Sequence, residues 1–126
     1  MNKETVNKFE KVQGQIEGFY KEIGILSKKN PNDAVNKFKL KFINQILVEA
    51  NELLQGLYKP LKDFDFFEED DIPTNSDVTM IFEQYLACLE KLRSDNIILD
   101  FGNWYWIING KSSSIKTSEP KKIRNK

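Results

Sequence analysis

Residues 97–117, IILDFGNWYWIINGKSSSIKT, constrain this chain more than any other stretch. Apolar residues before it recur at helical spacing; from Ile97 onward the composition is that of strands, and both tryptophans, Trp104 and Trp106, lie here. Asn109-Gly110 follows, the dipeptide that best accepts the two positive φ angles of a two-residue hairpin turn. The spacing predicts strands over 97–101, 104–108 and 111–116, with Gly102-Asn103 as the first turn. Period two places Trp104, Trp106 and Ile108 on one face and Tyr105 and Ile107 on the other. A two-stranded ribbon cannot bury two apolar faces by itself. One face is therefore expected on the helices, and the other against a partner or beneath the additional strand.

Three helices are expected ahead of the ribbon. Val6, Phe9, Val12, Ile16, Phe19, Ile23 and Leu26 make one stripe of a first helix from Lys3 to Lys28. Gly14 and Gly18, one turn apart, leave space for another backbone to approach. Lys28-Lys29-Asn30-Pro31 reads as the end of that helix and the start of a second, running to Tyr58 and antiparallel to the first. Its stripe is Val35, Phe38, Phe42, Ile46, Ala50, Leu53 and Leu57, widened by Leu40, Ile43, Leu47 and Leu54. A surface that broad implies burial against more than one neighbour. Lys37, Lys39 and Lys41 crowd its beginning, where the dipole is already positive. After Pro60 and a long connection, Asn75 or Ser76 is expected to cap a third helix over 77–93, with Val78, Ile81, Phe82, Tyr85, Leu86, Leu89 and Leu92 inward.

The resulting expectation is an α+β, mostly helical domain over residues 1–117: a long antiparallel helix hairpin, a third helix and a C-terminal antiparallel β-hairpin or three-stranded meander. A flexible basic tail is expected over 118–126. At 126 residues with 40% hydrophobic side chains, the chain suits one core. It contains no histidine, which removes Ser-His and Cys-His catalysis and imidazole metal ligation. The single cysteine, Cys88, forms no intrachain disulfide and reads as a core residue. With no apolar leader at the N-terminus, a cytoplasmic location is the default expectation.

The formal net charge is zero but unevenly spread. Residues 1–59 carry ten basic and seven acidic side chains (+3), residues 60–110 three and eleven (−8), and residues 111–126 six and one (+5). The negative segment includes Lys62-Asp63-Phe64-Asp65-Phe66-Phe67-Glu68-Glu69-Asp70-Asp71. Its mixture of carboxylates and phenylalanines suits electrostatic steering followed by apolar docking, or an acidic loop whose rings plug the helix hairpin. It lacks the Gly and terminal Glu of a DxDxDG loop, and neither a metal nor a cofactor is expected.

The order of elements in LEKLRSDNIILDFGNWYWIING resembles the recognition-helix-to-wing segment of winged-helix DNA-binding domains, over about a third of the chain. That resemblance implies a third helix in the major groove and a ribbon tip near phosphate, with Lys111, Lys121, Lys122 and Arg124 as contacts. The chain departs from it where an acidic loop replaces the preceding short helix, and where Asp77, Glu83 and Glu90 would face phosphates. The preferred expectation is a non-enzymatic protein-binding module, a small regulator or accessory subunit, with homodimerisation as one form. Its anchors would be Trp104, Tyr105, Trp106 and Phe66, steered by Asp65, Glu68, Glu69, Asp70 and Asp71. DNA binding is the alternative, and a carboxylate enzyme built around Asp95 or Asp100 is the third class.

Overall fold

A computed structural model describes residues 1–121. Three helices and a three-stranded antiparallel sheet form one α+β arrangement: α1 (Lys3–Lys29), α2 (Lys37–Leu53), α3 (Asn75–Ser94), β1 (Ile97–Asp100), β2 (Asn103–Ile108) and β3 (Lys111–Thr117). α1 packs against both other helices. Its Val6, Phe9, Val12, Ile16 and Ile23 are buried, as the one-sided stripe requires, with Phe19 and Leu26 half-buried at its edge. Each fully buried aliphatic or aromatic side chain contributes on the order of 1.5–3 kcal/mol, so this stripe fixes the rotation of α1. The Asn2 side chain caps the helix by accepting from the Thr5 amide at 2.7 Å.

α2 begins at Lys37, six residues later than the proline signal suggested. The backbone at 31–35 is engaged elsewhere: Val35 donates to the Pro73 carbonyl (2.9 Å), and Asn75 and Ser76 donate to those of Asp33 (2.9 Å) and Pro31 (3.1 Å). Asn36 caps the helix instead, accepting from the Lys39 amide at 2.8 Å. α2 ends at Leu53, before Gly56 turns the chain at φ +61, and residues 56–58 form a single 3-10 turn. The helix end at Tyr58 is thus corrected by a left-handed glycine that the spacing of Leu53 and Leu57 concealed.

Residues 59–74 run back along α2. Phe67 is buried and Phe64 half-buried, their rings packed edge to face at 5.0 Å, with Phe64 also against Tyr85 at 6.5 Å. Asn44 ties the segment down twice: its Nδ2 donates to the Phe67 carbonyl and its Oδ1 accepts from the Phe67 amide, both at 2.9 Å. Thr74, rather than Asn75 or Ser76, caps α3 in a reciprocal box. Thr74 Oγ1 accepts from the Asp77 amide at 3.2 Å, and the Asp77 carboxylate accepts from the Thr74 amide at 2.9 Å. Asn75 is buried at the helix start and donates to the Asn30 carbonyl at 2.9 Å.

The sheet follows α3 directly, in the order β1-β2-β3. Asn109 (φ +53) and Gly110 (φ +78) make the β2–β3 turn that the dipeptide specified. The β1–β2 turn lies at Phe101 (φ +48) and Gly102 (φ +82), one residue earlier than expected. β2 places Trp106 in the core, edge-on to Phe9 of α1 at 5.1 Å, while Trp104 and Ile108 pack half-buried on the same side. Opposite Trp106, β3 carries a bulge between the pairings of Tyr105 with Lys116 and Ile107 with Ser112.

Candidate functional site

α2 departs most from a helix that serves only its own chain. Leu40, Ile43, Ile46, Leu47, Ala50 and Leu54 face the core. Phe38 and Phe42 from the expected inward stripe instead face outward, 72% and 38% exposed, with their rings edge to face at 5.0 Å. Val48 is 46% exposed further along the helix. Phe42 and Phe38 border a cavity of about 210 Å³ with Phe19, Ile23 and Ile43. A second depression of about 470 Å³ continues along the α1–α2 groove past Phe42, Gln45, Val48 and Glu49, with Lys11 and Gln15 on the α1 side. Val48 also adjoins Phe66, 43% exposed, across a depression shared with Glu52 and Asp65. Scattered exposed apolar residues are ordinary on protein surfaces; Phe38, Phe42, Val48 and Phe66 instead follow one another along one side of α2.

The charges of α2 run against its dipole. No acidic side chain lies in its first turn and no basic one in its last, whereas Lys37, Lys39 and Lys41 lie toward its start and Glu49 and Glu52 toward its end. Charges placed against the dipole each cost a helix roughly 0.3–1 kcal/mol at the surface. Lys37 is partly compensated by Glu69 at 3.1 Å, and Glu52 pairs with Lys8 of α1. Lys41 lies 6.0 Å from the Phe42 ring centroid. Among the described residues neither Lys41 nor Glu49 has an ion-pair partner.

The aromatic ribbon divides differently from the expectation. Trp106 is completely buried, and its Nε1–H meets no acceptor among the described residues, so its role is packing. As a docking anchor it is corrected: a ring enclosed by Phe9 and the core has nothing left to present. Trp104 and Tyr105 remain half-exposed on opposite faces, with Tyr105 between Ile98 and Lys116 of the neighbouring strands. The acidic segment also divides. Phe64 and Phe67 plug the space beside α2, while Phe66 and the side chains of Glu68, Glu69, Asp70 and Asp71 are exposed. Asp65 accepts from Lys59 Nζ at 2.7 Å, and its carbonyl accepts from Asn51 Nδ2 at 2.7 Å. The loop is therefore anchored on α2 and the ribbon on α1 and α3.

Glu90 is not the exposed acid expected on α3. It and Arg93 are 6% and 3% exposed, joined by two parallel hydrogen bonds of 2.8 Å. Arg93 also donates to Thr117 Oγ1 and the Ser118 carbonyl, each at 2.7 Å, and to the Glu119 carbonyl at 2.8 Å; the Lys121 amide donates to Glu90 Oε2 at 2.7 Å. Burial opposes the charged form of Glu90, but the bonds from Arg93 and Lys121 outweigh it and hold the carboxyl below its ordinary range. Residues 118–121, expected in a free tail, are clasped to α3 by these bonds. Lys111 is exposed at the β2–β3 tip; Lys122 and Arg124 lie outside the described residues.

Asp95, weighed as a catalytic acid, is exposed and held charged by Tyr58 Oη at 2.6 Å and Lys91 Nζ at 2.9 Å, which lower its pKa. Asp100 lies in β1 beside the turn. Burial pushes the Cys88 thiol up and raises Tyr85 to about 12, with the Tyr85 hydroxyl donating to Asn51 at 2.6 Å. Among the described residues no cluster of His, Cys, Asp and Glu could hold a metal ion, and no helix is long and apolar enough to cross a membrane. Comparison with protein-family models, curated proteins and solved structures gave no match.

Proposed function

We propose that this chain is a non-enzymatic protein-interaction module that docks through the outer face of α2. One observation carries the reading: α2 is apolar on two sides, and the chain's own core uses only one of them. Phe38 and Phe42 supply the apolar anchors, with Val48 and Phe66 extending the surface. Large rings on a rigid helix lose little conformational freedom on docking, which is why aromatic side chains dominate binding energy at interfaces. The carboxylates of Glu68, Glu69, Asp70 and Asp71 flank the surface and steer approach. Trp104 and Tyr105 belong to a separate, half-exposed ribbon and play at most a flanking part.

Affinity capture from the native host after nuclease treatment tests this reading. Three baits are compared: the wild-type chain, a Phe38→Ser/Phe42→Ser variant, and a variant with Lys111, Lys121, Lys122 and Arg124 replaced by glutamate. Docking through α2 predicts that protein recovery survives nuclease and the four charge reversals but is lost with the two serines. Recovery of nucleic acid alone, lost on charge reversal, would replace this reading with the DNA-binding one.

A further inference from the structure

We propose that Asn109-Gly110, the β2–β3 turn, is a site of spontaneous backbone modification, where Asn109 loses ammonia and becomes aspartate or isoaspartate. This chemistry does not depend on docking through α2. It needs an asparagine with a free side-chain amide, followed by a backbone nitrogen that is neither hydrogen-bonded nor shielded by a side chain. Six other asparagines commit their side-chain amides to hydrogen bonds: Asn2, Asn36, Asn44, Asn51, Asn75 and Asn96. Asn30 precedes Pro31, whose nitrogen carries no proton. Asn109 is exposed, and among the described residues its side chain makes no hydrogen bond. The Gly110 amide makes none either, lying between Ile108 and Lys111, which pair with each other. Gly110 has no Cβ to block the approach, and nothing lies within 4 Å of where one would stand. No other asparagine in the chain is followed by glycine.

Hydroxide removes the Gly110 amide proton, and the nitrogen attacks Cγ of Asn109. The N–Cγ bond forms, the Cγ–Nδ2 bond breaks, and ammonia leaves a cyclic succinimide behind. Water then opens this ring, with no oxidant or reductant involved. Attack at Cγ restores the normal main chain and leaves aspartate. Attack at the Asn109 main-chain carbonyl routes the chain through Cγ and leaves isoaspartate. The folded turn fixes the two residues at φ +53 and +78, so ring closure proceeds as the hairpin tip opens. Isoaspartate adds a main-chain carbon to a turn that accommodates two residues, which undoes the pairing of Ile108 with Lys111. It also disturbs the Asn109 amide, which donates to the Met1 carbonyl at 3.1 Å and ties the tip to the chain ahead of α1. The modification therefore loosens the ribbon irreversibly with time.

Incubation of the full chain at neutral and mildly alkaline pH tests the site, with asparagine conversion read residue by residue by tandem mass spectrometry of proteolytic peptides. In the folded chain Asn109 is expected to convert about tenfold or more ahead of every other asparagine, and faster at the higher pH. In guanidinium its conversion accelerates, because the turn no longer restrains it. Conversion of Asn109 in the folded chain no faster than that of Asn75 or Asn103 overturns the site. Amide exchange reads the consequence. It is expected to accelerate at 107–112 in the aged wild type. Asn109→Gly keeps the positive φ but lacks the reactive amide, and should age without change. Equal exchange in the two aged proteins overturns the link between the modification and the hairpin.

Discussion

α2 and α3 are both helices with phenylalanines, buried leucines and side-chain caps, yet only α3 is explained by its own chain. Its Asp77 sits in the first turn and closes the capping box, and Lys91 and Arg93 sit in the last turn, all in the sense that the dipole favours. Phe82 and Tyr85 are fully buried. α2 has basic residues at its start, acidic residues toward its end and two phenylalanines in solvent. On α3 Met80 is the one large apolar side chain left exposed, whereas α2 exposes Phe38, Phe42 and Val48 and carries its charges against its own dipole. The contrast between the two helices is what supports the proposed docking surface on α2.

The largest effect expected lies in the enclosed half of the molecule. Trp106→Ala removes the ring packed on Phe9 and should cost about 3–5 kcal/mol of unfolding free energy in guanidinium titration. A loss below ~1 kcal/mol would mean that the ribbon is not part of the core. Arg93→Ala leaves Glu90 buried without its cation and should cost a comparable amount, about 3–5 kcal/mol, while freeing residues 118–121 in amide exchange.

The same pair makes stability depend on acid. Because the folded carboxyl of Glu90 lies below its ordinary 4.5, its stabilisation is complete above that value and declines as pH falls through the lower folded pKa. Glu90→Gln should remove this part of the acid dependence, measured by denaturation across a pH series. An unchanged pH slope would refute the clasp. Thr74→Ala comes next: loss of the α3 cap should cost about 1 kcal/mol. The smallest effect sharpens the contrast most. Phe38→Ala in the chain alone should change unfolding free energy by no more than ~0.5 kcal/mol, although a phenylalanine is being removed from a helix.

Much of this arrangement was legible in the chain, and the losses have specific causes. α1 is apolar on one side only, so its spacing alone identifies its buried face. Asn109-Gly110 specifies its turn because few other residues accept both φ angles. α2 was ambiguous because two stripes compete: the stripe through Phe38 and Phe42 matches helical spacing as well as the one through Leu40, Ile43 and Leu47 that forms the core. Periodicity identifies a face without stating what covers it. Its start falls after the Pro31 signal because pairing with residues 73–76, remote in sequence, claims that backbone. β2 is apolar on both faces, so nothing local singled out Trp106 as the enclosed residue. Glu90 and Arg93 look like an ordinary surface pair at i,i+3 spacing until residues 117–121 cover them. The reversed charges of α2 were visible throughout, as the lysines at 37, 39 and 41, and gained meaning once Phe38 and Phe42 proved exposed.

The most direct test follows backbone amide shifts of the labelled full chain as the protein recovered by affinity capture is added. Shifts concentrated at Phe38, Lys41, Phe42, Gln45, Val48 and Glu49 are the predicted result. Shifts confined to the ribbon around Trp104 and Tyr105, with α2 unchanged, would contradict the proposal that this chain meets its partner through α2.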